Sequence, residues 1–505
     1  MKNYKKVYAA FILAGGLILH GCNGIFDDLA INPNQPSMGA YFTSPSAVND
    51  AVMTMYGYMS TQRCLGASGS KTTIIRSDEA SSNSDYGKPG MFGADLNASY
   101  YTIEQPYTLM YTTASQASYI IETAPSVDFS GNEELRNAYM GEAYFWRAFA
   151  HYYLLINFRN ISPIRQMPRN GDDYVRPLEK PAAVWNFIQE DLAHAKELLP
   201  VKGYWDSKNA GRVTKASAAA LLGKAYLYRS GIEQYYGEDK TTFYSEAAKE
   251  FGDVIDGKYG TYDLTKNYAD NFDVAHENNE ESILEFQFLG DVDNAGFNPG
   301  LATSGLAFDS RGLMLPGAGV GYEGVVHNWL YNAFVNSVDK DGYTDIRMFS
   351  TMIFNDLDAS IHLRNDAGGN PVRLEGPGGY KWEELYPAKN GKEGFATVSN
   401  PLAHSFKAGI RKGIDCSMPT QTEADGTPKL VGVGAGVKEY VYNQPRAHGV
   451  NWRYIRYADV LMMYAESVVS GGTPASNMTP LQAVNKVRGR ANMSELPSVT
   501  RSEER

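Results

Sequence analysis

Arg76, Asp78 and Glu79 stand close together just ahead of a Gly-, Ser- and Asn-rich stretch that carries Tyr86, Tyr100 and Tyr101. Such a set can hold a polar, flat-faced molecule. The rings offer apolar faces, and the hydroxyls, carboxylates and guanidinium take hydrogen bonds. The plain alternative is a solvated loop whose tyrosines cap the core. Tyr322 and Trp382 fall in further Gly-rich stretches and are candidates of the same kind. Trp146 and Trp185 lie on helical stripes and are expected in the core, and so is Trp329, which opens an apparent helix over residues 328–335. Tyrosine outnumbers phenylalanine 35 to 21, an excess of amphipathic rings that suits a contact surface.

Other chemistries fit less well. Gly319-Val320-Gly321-Tyr322-Glu323-Gly324 has dinucleotide-loop spacing, but the stretch before it contains Pro316 and is no buried strand. Asp339, Asp341 and Asp345 with Gly342 resemble a calcium loop, yet Ser350 occupies the place of the bidentate glutamate. No cofactor is expected, and calcium is the one ion this spacing leaves room for. His276-Glu277-Asn278-Asn279-Glu280 lacks the second histidine of a zinc pair. There is no G-x-S-x-G elbow and no Walker A loop. A glycoside hydrolase needs two carboxyl groups roughly 5 to 9.5 Å apart, and Asp78-Glu79, adjacent in a loop, need not face one site. Cys64 and Cys416 are expected as two free buried thiols, with a single disulfide as the alternative.

The 505 residues carry 46 basic and 57 acidic side chains, a formal charge of −11. That balance argues against nucleic acid, whose phosphates demand clustered Lys and Arg. With 43% hydrophobic residues the chain can bury a large core, so three cysteines are no disulfide framework.

Lys2, Lys5 and Lys6 precede an apolar run from Val7 to Leu19, the layout of a secretory signal too short for a permanent span. Leu19-His20-Gly21-Cys22 resembles a bacterial lipobox, with His20 departing from the usual small residue. Residues 1–21 are then a signal peptide, Cys22 the lipidated mature N-terminus, and 22–41 a tether in which Asn32-Pro33-Asn34-Gln35-Pro36-Ser37 cannot sustain a helix. Several acyl chains, each contributing roughly 0.8 kcal/mol per buried methylene, make a stable anchor. Asp27-Asp28 resembles a surface-export signal of Bacteroidetes lipoproteins.

The elements that must position these residues are mostly helices. Apolar side chains recur at intervals of three and four in residues 134–158, 181–199, 214–229 and 244–255, and a hairpin of helices is expected over 453–469 and 480–491 across Ser470-Gly471-Gly472. Thr214 is placed to cap the third of them. A short strand pair is expected around Ser282–Phe288, where residue types alternate. Residues 60–106 and 289–450 read as long loops, which are usually functional. The fold class is all-α dominated: a scaffold of helical hairpins with long irregular loops and minor β.

Several of these stretches resemble one family in family order. Tyr144-Phe145-Trp146-Arg147-Ala148-Phe149 with Tyr152-Tyr153-Leu154-Leu155, Ile188-Gln189-Glu190-Asp191-Leu192, Gly211-Arg212-Val213-Thr214-Lys215, Glu280-Glu281-Ser282-Ile283-Leu284-Glu285 and Asp341-Gly342 through Asp345-Ile346-Arg347 are similar to segments of SusD/RagB-like outer-membrane lipoproteins. The most specific stretch is Tyr454-Ile455-Arg456-Tyr457-Ala458-Asp459-Val460-Leu461-Met462-Met463-Tyr464-Ala465-Glu466, followed by Ala483 to Ala491. The resemblance runs from Cys22 to Ala491. Members continue past this point with a further helix, so the chain is expected to be truncated at Arg505.

The resemblance implies a binder and not an enzyme: one tetratricopeptide-like domain over residues 42–505 that captures oligosaccharides. It implies delivery to a SusC-like TonB-dependent transporter, from a lipid anchor on the outer membrane that faces the exterior, with no nucleic acid partner. Peptide capture, as in RagB-like members, is the alternative, and a surface glycoside hydrolase a more distant one. The ligand-binding set expected on this basis is Arg76, Asp78, Asn83, Tyr86, Tyr100, Tyr101, Tyr322 and Trp382, with lipidation at Cys22. Flat rings stacking on sugar C–H faces contribute roughly 1 kcal/mol each beyond burial, so a few rings reach only millimolar to micromolar affinity, about −4 to −8 kcal/mol.

Overall fold

Short polar caps start the helices of this chain, and small or apolar stripes set how closely they pack. The computed structural model describes residues 42–61, 63–66, 73, 76–82, 98–167, 175–237, 239–288, 308–309, 324–354, 360–365, 367–369, 408–410, 424, 430–432, 438–440, 447–448 and 450–500. Ser44 accepts from the Ala47 amide at the start of α1 (Pro45–Ser60), and Asn132 accepts from Leu135 at the start of α3 (Glu133–Phe158). Between them runs α2 (Tyr101–Thr123), with Pro106 in its second turn. Helix α4 (Pro181–Leu198) begins with proline, where a missing N–H costs nothing. Thr214 and Ser217 form a reciprocal capping box at α5 (Lys215–Tyr236), which Gly237 closes in the left-handed region at φ 69°. Helix α6 is Tyr244–Ile255.

Each of these helices packs on its sequence neighbour: α2 on α3, α3 on α4, α4 on α5, α5 on α6. The array then continues with α9 (Tyr457–Val469), which lies against α6, and α10 (Pro480–Arg490), which lies against α9. Trp146 and Trp185 are buried in its core, with Phe145, Phe149 and Phe251. Gly223 lets α6 come close, since a Cβ there would lie 2.8 Å from the Phe251 ring. The helix-dominated fold matches the expected scaffold.

Buried ion pairs fasten the array. Arg147 on α3 grips Asp191 on α4 through two 2.7 Å bonds and donates to the Arg165 carbonyl at 2.9 Å. Arg212 clamps Glu142 at 2.9 and 2.6 Å, and the Tyr56 hydroxyl donates to the same carboxylate at 2.6 Å. Glu233 on α5 takes two bonds from Arg159 and one from the Trp185 indole. Arg490 on α10 donates to Glu281 at 2.6 Å. Arg147, Asp191, Arg212, Glu281 and Arg490 belong to the family-like stretches, so those residues fasten the scaffold.

Two long excursions leave the array. β1 (Ala80–Ser82) lies in a four-stranded antiparallel sheet with β4 (Gly324–Val326), β5 (Met352–Phe354) and β6 (Ala408–Ile410), in the order β1-β4-β6-β5. β2 (Ser282–Phe286) pairs antiparallel with β10 (Trp452–Arg456). Two small pairs, β3 (Phe308–Asp309) with β9 (Ala447–His448) and β7 (Leu430–Gly432) with β8 (Lys438–Tyr440), complete the strands described. The helix expected from Arg453 is therefore strand as far as Arg456, and α9 starts at Tyr457. Burial alternates along Trp452–Arg456 with Arg453 and Ile455 inward, the period of two that a strand requires. Helix α2 likewise begins inside the stretch read as loop to residue 106, and α1 was not legible as a helix at all. Helices α7 (Asn328–Asn336) and α8 (Arg347–Thr351) lie in the second excursion.

Candidate functional site

The segment Arg76–Ser82 is sewn to the start of α7. Ala80 stands opposite Val326 in the sheet, the His327 amide donates to the Glu79 carbonyl at 2.8 Å, and the Trp329 indole N–H donates to the Asp78 carbonyl at 2.7 Å. Arg76, Asp78 and Glu79 are exposed. Trp329 is 50% exposed, which corrects the expectation that it packs in the core. Its N–H is spent on backbone, so the indole is held in place while half of its surface faces solvent. The result is a flat, half-exposed aromatic face tied to the backbone of the segment that carries Arg76, Asp78 and Glu79.

The segment also sits near α3. Burial raises the pKa of the Tyr153 hydroxyl and the Arg76 charge pulls it the other way, so Arg76 lies within electrostatic reach of that helix. Tyr100 is the half-buried residue preceding α2, and Tyr101 is the first residue of α2. Nearly two helical turns on, Tyr107 meets Tyr111 and Phe158 edge to face at 4.9 Å. Cys22, Asn83, Tyr86, Tyr322, Trp382 and Cys416 lie outside the described residues. Of the expected ligand set, then, Arg76 and Asp78 come together on one segment, and Trp329 joins them. Its sequence signal was an aromatic at the first turn of a short helix, a pattern that packing also produces.

Other candidates have structural partners. The Asp339 carboxylate accepts from the amides of Asp341 and Tyr343 and from Arg364, Asp345 pairs with Arg347, and Asp341 accepts from Asn492. Among the described residues no group of three or more His, Cys, Asp or Glu side chains could hold a metal ion. Burial pushes the carboxyl pKa of Glu142 and Asp191 up against the pull of Arg212 and Arg147. Both are locked inside those clamps and face no solvent. Cys64 is a buried free thiol. No helix among the described residues is long and apolar enough to cross a membrane.

Comparison with known proteins adds to this geometry. A family model described as starch-binding, associating with outer membrane (SusD-like) matches residues 31–227, and a SusD-family model matches residues 421–504. A SusD-like protein of Bacteroides ovatus is 24% identical over 508 residues, covering 99% of this chain and 79% of that protein. The crystal structure of a SusD superfamily protein from Bacteroides vulgatus has a TM-score of 0.64 at 20% identity, over 92% of this chain and 83% of that one. A laminarin-binding SusD-like protein scores 0.61 at 19% identity, over 92% and 87%. A structure solved with a xylogluco-oligosaccharide scores 0.58 at 20% identity, over 91% and 78%.

Proposed function

Since the chain belongs to the SusD/RagB-like family of outer-membrane-associated proteins, we propose that it is a glycan-binding protein and not an enzyme, and that it captures oligosaccharides at the cell surface. The observation that carries this reading is the half-exposed Trp329 ring, fixed by its N–H to the Asp78 carbonyl on the exposed segment that also bears Arg76 and Glu79. An indole face takes the C–H side of a sugar ring, and the carboxylates and guanidinium take its hydroxyls. Binding of laminarin by one structural neighbour and the xylogluco-oligosaccharide in another support the ligand class. Tyr86, Tyr100, Tyr101, Asn83, Tyr322 and Trp382 extend the site. The protein is lipidated at Cys22, stays on the outer face of the outer membrane, and passes its ligand to a SusC-like TonB-dependent transporter. Weak capture suits that hand-off, because a ligand held at micromolar strength or weaker is released quickly.

The test is retardation in native gels cast with a panel of polysaccharides, together with an assay for new reducing ends. Retardation by one polysaccharide, lost in Trp329→Ala and unaccompanied by new reducing ends, is the expected result. New reducing ends would replace the binder with a hydrolase. Retardation that Trp329→Ala leaves unchanged would move the site elsewhere.

A further inference from the structure

A second place in the array gathers polar groups with no assigned task. Lys224 and Tyr228 share one face of α5, four residues apart. The Lys224 ammonium lies 4.7 Å from the ring centre of Tyr454 on β10 and 5.4 Å from that of Tyr228. Behind them Tyr152 on α3 is fully buried, its ring 6.1 Å from that of Tyr228, and its hydroxyl has no hydrogen-bond partner among the described residues. Lys224, Tyr454 and Trp452 are half-buried and Tyr228 is 39% exposed, so the cluster opens to solvent. Trp452 and Tyr454 stand edge to face at 5.5 Å and form one wall of the opening.

The carboxylates around the cluster are already engaged. Asp459 faces Lys224, but its oxygens take the Arg456 amide at 2.8 Å and the Arg456 guanidinium at 3.0 and 3.2 Å. Glu281 is engaged by Arg490, Thr265 and Asn271. Asp459, already engaged by Arg456, is thus the carboxylate that faces Lys224, which meets two aromatic faces and no hydrogen-bond acceptor among the described residues. An ammonium in such a place is best satisfied by a charge-assisted bond from an anion. On a chain of charge −11, it is a local exception that an acidic ligand can use.

We propose that this cluster binds the oxyanion, carboxylate or sulfate, of an acidic saccharide, with Lys224 as the anion contact and Tyr228, Tyr454 and Trp452 lining the sugar. The proposal rests on the saccharide-binding reading above and places a distinct subsite between α3, α5 and β10. The full chain is titrated calorimetrically with a galacturonate trisaccharide, the matched neutral galactose trisaccharide, and sodium sulfate. The acidic trisaccharide is expected to bind about tenfold more tightly than the neutral one, a difference of about 1.4 kcal/mol. Lys224→Met is expected to erase that preference and Lys224→Arg to keep it. Neutral binding stays constant throughout, and melting temperatures control for folding.

An unchanged acidic preference in Lys224→Met would overturn the proposal while leaving saccharide capture intact. Equal binding of the acidic and neutral trisaccharides by the wild-type chain would do the same. Sulfate that binds as tightly as the trisaccharide would make this a free-anion site and overturn the saccharide assignment. Failure of both trisaccharides to bind would overturn this proposal, while the polysaccharide panel tests capture separately.

Discussion

His151 gives the fold a dependence on pH that can be worked out from two hydrogen bonds. The ring is fully buried on α3; its Nδ1–H donates to the Arg147 carbonyl at 2.8 Å, and its Nε2 accepts from the Ile164 amide at 2.9 Å. Protonating Nε2 would break the second bond and bury a charge near Arg147, Arg165 and Arg176. Burial, aided by those cations, holds the imidazole pKa down at about 3. In the unfolded chain it returns to about 6.5. Between those values the unfolded state binds a proton that the folded state refuses. The contribution is therefore complete above about pH 6.5 and is lost as pH falls toward 3. From pH 7 to pH 5 the loss is about 2 kcal/mol, and over the whole window roughly 4 to 5 kcal/mol. Denaturant unfolding at pH 7 and pH 5, compared with His151→Gln, isolates this share, because the glutamine amide can make both bonds without titrating. The wild-type chain should lose about 2 kcal/mol more than the variant across that interval. Parallel pH profiles, or an imidazole signal titrating near 6.5 in the native state, would refute the reasoning.

Arg147→Met leaves the Asp191 carboxylate buried without its partner and should cost about 3 to 5 kcal/mol. Adding Asp191→Leu should restore most of the loss in a thermal melt, separating the clamp from simple packing. At Gly252 a Cβ would stand 2.3 Å from the Ala475 carbonyl oxygen, so Gly252→Ala should lower stability by about 1 to 3 kcal/mol. Gly231→Ala has open space at the same test, and its unfolding midpoint should hold or rise by up to about 1 kcal/mol of stability. Burial pushes the Cys64 thiol up to about 12, so native protein at pH 8 should leave Cys64 unmodified by iodoacetamide in a peptide map, and unfolding should expose it.

Much of the scaffold was legible because its signals are local. Apolar spacing located α3, α4, α6 and α10 nearly to the residue, and Thr214 marked the start of α5. Helix α2 was hidden by Pro106 and a run of Thr, Ser and Tyr with poor intrinsic propensity; its helix is held by packing on α3. Trp452–Arg456 was read as helix because its strand character depends on β2, far away in sequence. The candidate site was half legible for the same reason. Arg76 and Asp78 announced themselves by type and position, but Trp329 acquires its role from an indole bond to a residue 251 positions away. Local periodicity could only report that it sits on a helix, where burial is the commoner fate.

The antiparallel pair β2–β10 acts as a doorway. The chain leaves the array shortly after α6, passes through β2, and re-enters through β10 directly into α9, the helix that lies against α6. The described parts of this cassette between residues 287 and 451, Trp329 included, hang from two adjacent strands and are pinned again where β4 meets β1 and where Asn492 donates to Asp341. The entropy of closing such a cassette rises only slowly with its length, so the array is nearly indifferent to how long it is. Recombination at this doorway exchanges the Trp329 segment without touching the Arg147–Asp191 and Arg212–Glu142 clamps that hold the helices. The frame and the stretch hung from it are free to change at different rates.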